Sequence, residues 1–272
     1  MMMKKLRNGV HMPQVGLGVY MMTDPEETIN AVSEALKVGY RAIDTASYYE
    51  NEKEVGEAIR TSGIPREELF ITTKVWNDEQ GYDETLRAFE RSLELLGIDY
   101  LDLYLTHWPV PDKFIDTYRA LERLYEEKLL RVPGVSNHSE KQLTLLESKV
   151  NVVPMVNQVE CHPYLQQKSV IDFCNEREIA LTAWSPLGKG TILQDELIQE
   201  LAKVYEKTPA QIILRWHLQR DTIIIPKSVT PSRIKENFSL FDFELKEEDM
   251  ERISKLDRDG RIGHDPDSYD FL

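Results

Sequence analysis

The stretch Ala42-Ile43-Asp44-Thr45-Ala46-Ser47-Tyr48-Tyr49 begins as an apolar run, meets a carboxylate and continues as a polar and aromatic segment. This change is typical of a buried strand at the point where it opens into a pocket. Two later apolar runs also end on ionisable groups, residues 70–73 at Lys74 and residues 101–106 at His107. If these three strands are neighbours, their ends form one proton-transfer site made of Asp44, Tyr49, Lys74 and His107.

Strand-like runs alternate with helical patterns along the whole chain. The predicted strands are residues 15–19, 40–43, 70–74, 101–106, 130–135, 153–159, 179–184 and 222–225. Strands separated by helices indicate parallel βαβ units. Eight such units in about 250 residues predict a (β/α)8 TIM barrel.

Local signals support this α/β organisation. Helix starts are predicted at Asp24, Ser139 and Thr208, because each is followed three residues later by Glu or Gln, as in a capping box. An open doubly wound sheet is the alternative, but its first strand should lead into a GxGxxG turn, and no such turn follows Gly18. We predict one domain, residues 1–272, with an N-terminal β-hairpin at Asn8-Gly9 and a C-terminal tail, residues 241–272, over the barrel.

Composition restricts the partners of the protein. The formal net charge of −14 argues against general affinity for nucleic acid or for an anionic membrane surface. The two cysteines, Cys161 and Cys174, have no metal-finger spacing and suit a reduced cytoplasmic protein. Neither a signal-peptide pattern nor a membrane-length apolar run is visible in the sequence.

The strand-end residues suggest a way to acidify a phenol. Lowering the pKa of a tyrosine by about 3 units from its usual value near 10 requires roughly 4 kcal/mol. An ammonium about 4 Å away supplies roughly that amount at an effective dielectric near 20. Lys74 is the candidate cation, and Asp44 would keep it charged while weakening its effect on Tyr49. The alternative, unrelated polar residues at strand ends, is favoured for any one of them but not for all four together.

A second group of residues suggests an anion site after the last predicted strand. Ile225-Pro226-Lys227-Ser228-Val229-Thr230-Pro231-Ser232-Arg233 leads into a helix whose first amides would attract a phosphate. A solvated Lys and Arg near a helix start is an equally good interpretation of this segment alone. Trp184, at the end of the seventh strand, would stack on a flat ring, although a lone Trp there is more often core. The edge of that ring would bond to Ser136, Asn137 and Gln158.

Motifs along the whole chain resemble the aldo-keto reductase family. They are Asp44-Thr45-Ala46 with Tyr49, Asn51-Glu52, Val55-Gly56, Leu103-Tyr104-Leu105, His107-Trp108-Pro109, Gly134-Val135-Ser136-Asn137, Asn157-Gln158, Ser185-Pro186-Leu187-Gly188 and Ile225-Pro226-Lys227-Ser228. Within the family, the chain is most similar to the bacterial 2,5-diketogluconate and glyoxal or methylglyoxal reductases.

The resemblance implies a barrel that binds NADPH and reduces carbonyls. It implies Asp44, Tyr49, Lys74 and His107 as a catalytic tetrad with Tyr49 as general acid. It also implies a role in cofactor binding for Ser136, Asn137, Gln158, Trp184, Ser185, Leu187, Gly188, Lys227, Ser228, Arg233, Glu236 and Asn237. Tyr20, Trp76 and Trp108 would line an open substrate pocket. Small aldehydes, dicarbonyls or keto-sugars would fit it, and a monomer is the expected state.

Two positions depart from the family pattern. Val132-Pro133 places a proline inside the fifth strand, where it removes a ladder donor, so we expect a local bulge or an unpaired carbonyl. His138 replaces the commoner aromatic residue, and either the pocket or solvent is its expected environment.

Two other functions stay open at this point. One is a metal-dependent barrel hydrolase that uses Asp44, His107, Glu160 and His162, although these residues lack the usual tight His spacing. The other is a non-catalytic NADPH-binding regulatory barrel, against which the complete tetrad argues.

Overall fold

The computed structural model describes residues 2–268. It begins with the predicted hairpin: β1 (Met3–Lys5) pairs antiparallel with β2 (His11–Pro13). Gly9 lies in the turn at φ +87°, a conformation that glycine adopts at little cost, and the Asn8 side chain accepts a hydrogen bond from the Val10 amide. The Asn-Gly turn prediction is confirmed.

The barrel strands are parallel and adjacent in chain order. They are β3 (Leu17–Gly18), β4 (Ala42–Asp44), β5 (Phe70–Val75), β6 (Leu101–Thr106), β7 (Leu130–Ser136), β8 (Val156–Glu160), β9 (Ala180–Trp184) and β10 (Ile223–Ile224). Val15 bridges Ile224 in parallel, and the Gly16 amide donates to the Ile224 carbonyl at 2.9 Å. These contacts join the first strand to the last, so the TIM-barrel prediction is confirmed.

The helices follow the strands along the chain. They are α1 (Pro25–Val38), α2 (Glu52–Thr61), α3 (Tyr82–Leu96), α4 (Phe114–Glu126), α5 (Glu140–Glu147), α6 (Lys168–Glu176), α7 (Glu196–Val204), α8 (Pro209–Gln219), α9 (Pro231–Phe238) and α10 (Glu247–Ser254). The predicted caps are present: Asp24 accepts from the Glu27 amide at 2.8 Å, and Thr208 and Gln211 bond reciprocally. The amide of Ser139 donates to Gln142 at 2.8 Å.

Among residues 2–268, apolar side chains form two layers around the barrel strands and a third cluster between α7, α8 and α10. The larger layer lies between the strands and the surrounding helices. The smaller layer fills the barrel interior, where Leu6 and Met12 of the hairpin region pack with Leu103, Leu105 and Val132. The hairpin therefore closes the amino-terminal end of the barrel, and the opposite end is left for chemistry.

The expected bulge at Pro133 is absent from β7. Val132, Pro133 and Gly134 pair in unbroken register with three successive residues of β6, and the Pro133 carbonyl accepts from the Met155 amide at 3.1 Å. The prediction of a bulge was therefore wrong, and the alternative, a neighbouring carbonyl left unpaired by the missing N–H, stays a prediction. A proline lacks only the N–H, so its carbonyl still pairs with the next strand and the register continues.

The predicted tail divides into two parts. Helix α10 packs on α7 at the side of the barrel. Residues 260–268, here called the crossing segment, run over the carboxyl ends of the strands, and Asp267 accepts a hydrogen bond from Ser139 at their far end. The prediction of a tail over the barrel is confirmed for this segment, while residues 269–272 lie outside the described part of the chain.

Across residues 2–268, the helices are too short or too polar to span a lipid bilayer.

Candidate active site

Three neighbouring strands bring the predicted tetrad together. Asp44 ends β4, Lys74 lies near the end of β5, and His107 directly follows β6. A short 3-10 turn, Ser47–Tyr49, returns the chain so that the Tyr49 phenol reaches the same edge. Asp44, Lys74 and His107 are all buried. We call this edge, formed by the carboxyl ends of the barrel strands, the mouth.

Lys74 is the centre of the group. Its Nζ atom donates to Asp44 Oδ1 at 2.5 Å, to the Thr45 carbonyl at 2.8 Å and to the Tyr49 hydroxyl at 3.3 Å. An ammonium has three protons, so this set of partners satisfies it completely. The second oxygen of Asp44 accepts from Gln158 Nε2 at 2.7 Å, which fixes the carboxylate from the far side of the barrel.

These contacts keep Lys74 charged. Burial alone pushes its pKa down, but the carboxylate of Asp44 and the phenol of Tyr49 together outweigh burial, and the pKa of Lys74 is raised. The ammonium is therefore a permanent positive charge beside the phenol at neutral pH.

The phenol itself behaves differently from the sequence-based expectation. Burial raises the pKa of Tyr49, Lys74 lowers it by less, and Asp44 adds to the rise, so the pKa of Tyr49 is raised overall. The expected lowering was wrong, because the cost of burying a phenolate exceeds what one already paired ammonium returns. Tyr49 is therefore a neutral phenol near neutral pH.

His107 is held as a neutral imidazole. Burial and the charge of Lys74 lower its pKa well below the usual value of 6.5. Its backbone carbonyl accepts from Asn137 Nδ2 at 3.0 Å, and its amide donates to the Val75 carbonyl at 3.2 Å. A neutral ring carries one N–H and therefore offers a single hydrogen bond to a ligand oxygen.

An aromatic wall stands beside the tetrad. The Tyr20 ring lies 5.0 Å from that of Tyr49, and Trp76 meets His107 edge to face at 4.9 Å. Tyr48, which was not among the predicted pocket residues, stacks on Trp76 with ring centroids 3.8 Å apart. The only sequence signal for Tyr48 was its place beside Tyr49. Trp108 is buried under the crossing segment, 6.2 Å from the ring of His264.

The residues predicted to meet the edge of a bound ring form one hydrogen-bonded network. Ser136 Oγ donates to the Gln158 carbonyl at 2.8 Å, and Trp184 Nε1 donates to Asn137 Oδ1 at 2.8 Å. Asn137 has a φ of +60°, which turns its side chain towards both His107 and Trp184. The orientation of the Trp184 indole is thus linked to the tetrad through Asn137.

The predicted anion site lies at the start of α9. Lys227 and Arg233 are exposed, and among residues 2–268 no carboxylate lies within 4 Å of either cation. Ser228 Oγ accepts from the Thr230 amide at 3.1 Å. Two uncompensated cations at a helix start in a protein of net charge −14 suit a phosphate group.

The remaining predicted cofactor residues lie on α9 and in the loop after β9. Glu236 accepts from Thr208 at 2.8 Å and is therefore tied to the cap of α8, and Asn237 beside it is buried. In the loop after β9, Ser185 and Gly188 have φ values of +48° and +54°. A Cβ at Gly188 would lie 2.5 Å from Ile192 Cδ1, so this tight loop requires glycine. Leu187, between them, is half-buried.

The four residues of the hydrolase alternative do not form a metal site in the described part of the chain. Glu160 and His162 contact each other at 3.0 Å, but no group of three potential ligands gathers among residues 2–268. Asp44 is instead bound by Lys74 and Gln158.

His138 does not face solvent. It is 1% exposed, its Nδ1 lies 2.9 Å from the Ser136 carbonyl, and its ring packs edge to face on Phe114. Burial lowers the pKa of His138 to about 4, so it is a neutral core residue near neutral pH.

Comparison with known proteins agrees with this geometry. The model of the "Aldo/keto reductase family" matches residues 14–258. The chain is 54% identical to a 9,11-endoperoxide prostaglandin H2 reductase of Trypanosoma cruzi, over 97% of this chain and 94% of that one. It is 52% identical to a glyoxal reductase of Bacillus subtilis, over 98% and 97% of the two chains. The crystal structure of a Gox0644 mutant in complex with NADPH superposes with a TM-score of 0.94 at 45% identity, over 99% of this chain and 98% of that chain. The chain therefore belongs to the aldo/keto reductase family and is an oxidoreductase of the branch that contains the glyoxal and methylglyoxal reductases.

Proposed function

We propose that this protein uses NADPH to reduce small aldehydes and ketones to alcohols, with Tyr49 as the general acid. Dicarbonyls such as methylglyoxal, or keto-sugars such as 2,5-diketogluconate, are the proposed substrates. The observation that carries the proposal is the position of Lys74 Nζ, which bonds both Asp44 at 2.5 Å and the Tyr49 hydroxyl at 3.3 Å. A buried ammonium between a carboxylate and a phenol stabilises negative charge that develops at the phenol oxygen.

The tetrad would act on a carbonyl oxygen at the mouth. Bound NADPH supplies the hydride to the carbonyl carbon. Tyr49 then donates its proton to the oxygen, and Lys74 stabilises the phenolate that remains. His107, held neutral because burial and Lys74 lower its pKa, donates one hydrogen bond and orients the carbonyl. Asp44, fixed by Gln158, keeps Lys74 charged and in place.

The raised pKa of Tyr49 agrees with this direction of proton transfer. Reduction requires a protonated phenol at the moment of hydride transfer, and burial keeps the phenol protonated at neutral pH. The ammonium then has its effect during the step, as charge appears on the phenol, and not in the resting enzyme.

The cofactor would lie between the mouth and the start of α9. Lys227, Ser228 and Arg233 would hold the 2′-phosphate that distinguishes NADPH from NADH, since both cations lack carboxylate partners among residues 2–268. Trp184 would lie under the nicotinamide. Ser136, Asn137 and Gln158 would meet the ring edge, Ser185, Leu187 and Gly188 the pyrophosphate, and Glu236 and Asn237 the adenine.

The substrate would enter beside the aromatic wall. Tyr20, Tyr48 and Trp76 are partly exposed next to His107 and Tyr49, whereas Trp108 would close the other side. The loop from His107 to the start of α4 is short, which leaves the mouth open. An open, partly aromatic pocket with a single acid suits small polar carbonyls, and the glyoxal reductase relative supports the same class.

A panel of carbonyls tests this function. Purified protein is mixed with NADPH and, in turn, methylglyoxal, glyoxal, a keto-sugar acid and a simple aromatic aldehyde, and the loss of nicotinamide absorbance is followed. We expect turnover with the dicarbonyls, and a product alcohol that matches the NADPH consumed. Binding of NADPH without turnover of any carbonyl would favour the regulatory-barrel alternative. An endoperoxide belongs in the same panel, because one relative bears that activity in its name.

We also propose a cytoplasmic monomer. Gel filtration should place the protein at the volume of a single chain, and elution as a dimer would contradict this part of the proposal.

A further inference from the structure

Glu160 is a buried carboxylate for which the proposed reaction has no role. It is the last residue of β8, lies at the mouth and is 1% exposed. Its Oε1 accepts from His162 Nε2 at 3.0 Å and from the Ile262 amide at 2.7 Å, and its Oε2 accepts from the Gly263 amide at 2.8 Å. One side chain thus holds two successive amides of the crossing segment.

The carboxylate is ionised in this position. Burial raises the pKa of Glu160, but the hydrogen bonds from His162 and the two amides outweigh burial, and the pKa of Glu160 is lowered. All three hydrogen bonds are therefore charge-assisted, and such bonds are shorter and stronger than neutral ones.

The held amides bring the crossing segment against Trp184. A Cβ built on Gly263 would lie 2.4 Å from Trp184 Cη2 and 2.9 Å from Glu160 Oε2, so the backbone is seated directly on the indole. The next residue, His264, meets the ring of Trp108 at 6.2 Å. No residue larger than glycine fits between the carboxylate and the indole without a shift.

The Trp184 indole is consequently held at two edges. Its nitrogen donates to Asn137 Oδ1 at 2.8 Å, and its far benzo edge meets the Gly263 backbone. The first contact ties the ring to the barrel and the second to the crossing segment. Loss of the second contact would let the ring tilt about the first.

We propose that Glu160 is a positioning residue: by holding the amides of Ile262 and Gly263, it seats the crossing segment on Trp184 and sets the plane on which the nicotinamide of NADPH rests. This inference depends on the proposed function only for the identity of that ligand. Glu160 touches neither substrate nor cofactor and acts through Gly263 and Trp184.

The main test is Glu160→Gln. The substitution keeps the shape, removes the charge and turns an NH2 group towards the backbone donors. If the indole supports the cofactor equally before and during the reaction, its displacement should raise KM and leave kcat nearly unchanged. We expect about a tenfold weaker NADPH dissociation constant, measured by the fluorescence change on titration, a similar rise in KM for NADPH and less than a threefold change in kcat.

A matched control separates positioning from stability. Glu122 is also a buried carboxylate whose Oε1 holds two successive amides, those of Asn151 and Val152, both at 2.6 Å, but it lies on α4 away from the mouth. Glu122→Gln should lower the melting temperature by an amount similar to Glu160→Gln and leave NADPH affinity within twofold of the wild type. Equal NADPH affinity for the two variants would overturn the proposal.

A double-mutant cycle tests the route through the indole. Trp184→Ala removes the ring, so adding Glu160→Gln to it should weaken NADPH binding by less than twofold further, whereas independent effects would multiply.

Gly263→Ala provides the second variant if Glu160→Gln fails to fold, because it displaces the indole without removing the charge. It should raise the dissociation constant for NADPH about as much as Glu160→Gln, and unchanged binding would count against the proposal.

The same experiments distinguish this inference from the proposed function. A wild-type protein that neither binds NADPH nor reduces carbonyls refutes the proposed function. A wild-type protein that does both, with Glu160→Gln indistinguishable from it in NADPH binding, refutes only the role of Glu160.

Discussion

Two buried aspartates, one at each end of the barrel, allow an ion pair that we propose to be catalytic to be compared with one that joins segments of the fold. Asp44 at the mouth pairs with Lys74, and Asp102 near the start of β6 pairs with Arg66 at 2.7 Å and Arg131 at 2.6 Å. Both carboxylates are buried and both also accept a further hydrogen bond, from Gln158 and from the Ile71 amide respectively. By residue type and burial the two are nearly equivalent.

The difference lies in what each cation touches next. Lys74 continues to the hydroxyl of Tyr49, a group that can gain or lose a proton beside an open pocket. Arg66 continues to the carbonyls of Leu69 and Tyr100, which have no acid–base chemistry at ordinary pH. The pair at the mouth therefore contacts a titratable side chain, whereas the Asp102 pairs at the amino-terminal end of the barrel join neighbouring segments of the chain.

The largest effect is expected from a substitution at the mouth that leaves the Asp102 ion pairs at the amino-terminal end of the barrel unchanged. Tyr49→Phe removes the proton donor and keeps the ring, and general acid catalysis is typically worth about 10²–10⁴-fold. We expect carbonyl turnover to fall by about 10³-fold, with NADPH affinity within twofold of the wild type and an unchanged melting temperature. Turnover within tenfold of the wild type would remove Tyr49 from the mechanism.

The two aspartates are compared directly with Asp44→Asn and Asp102→Asn. Asp44→Asn leaves the buried ammonium of Lys74 without its counter-charge, and the loss of one partner of a buried pair typically costs about 3–5 kcal/mol of unfolding free energy. Asp102→Asn should cost less, because the side chains of Arg66 and Arg131 are 19% and 41% exposed and water can solvate them. Both variants should unfold at lower denaturant, but only Asp44→Asn should also lower kcat of the folded protein, by about 10²-fold. Asp102→Asn should keep kcat within twofold, and a large loss of kcat there would contradict the distinction drawn between the two ends.

The exposed cations Lys227 and Arg233 sharpen the comparison, because we propose that they bind the cofactor and neither has an ion-pair partner among residues 2–268. Arg233→Ala removes a side chain with no ion-pair partner among residues 2–268, so the melting temperature should not change. A charge-assisted bond to a phosphate is worth about 1.5–3 kcal/mol, so the preference for NADPH over NADH should fall by roughly 10–100-fold. Lys227→Ala should act in the same direction, and the ratio of kcat/KM for the two cofactors is the measurement. An unchanged ratio in both variants would exclude the anion site.

The smallest effect is expected from pH. Because burial raises the pKa of Tyr49, the phenol stays protonated up to and beyond its ordinary value of about 10, and kcat for reduction should vary by less than about twofold between pH 6 and 9. Folding also raises the pKa of Lys74, so its contribution to stability is complete below the unfolded value of about 10.4 and is lost as pH rises through the folded value. A decline of kcat on a pKa near 7 would show a phenol more acidic than this structure gives.

Much of this architecture could be predicted from the sequence. Strand–helix alternation predicts the barrel, and the carboxyl-end rule for parallel strands predicts that Asp44, Lys74 and His107 share one edge. The helix caps at Asp24 and Thr208 could be predicted from sequence because their hydrogen-bond partners lie three residues further along the chain.

The remaining features depend on packing that local patterns do not encode. The direction of the pKa shift of Tyr49 depends on how deeply its phenol is buried, and no sequence motif encodes that depth. The raised pKa was therefore not predicted. Glu160 and Gly263 are 103 residues apart, so nothing in the sequence links them. Similarly, the amide that donates to the Pro133 carbonyl belongs to Met155, directly before β8, and no local pattern predicts this contact.

The central claim is that Lys74 acts on the substrate through Tyr49, and a double-mutant cycle on single-turnover reduction of methylglyoxal tests it most directly. Tyr49→Phe, Lys74→Met and the double variant are mixed with saturating NADPH, and the rate of the absorbance change is recorded. If Lys74 acts through the phenol, the double variant reduces methylglyoxal within about threefold of the rate of Tyr49→Phe alone. Losses that multiply in the double variant would show that the two side chains act independently and would contradict the account.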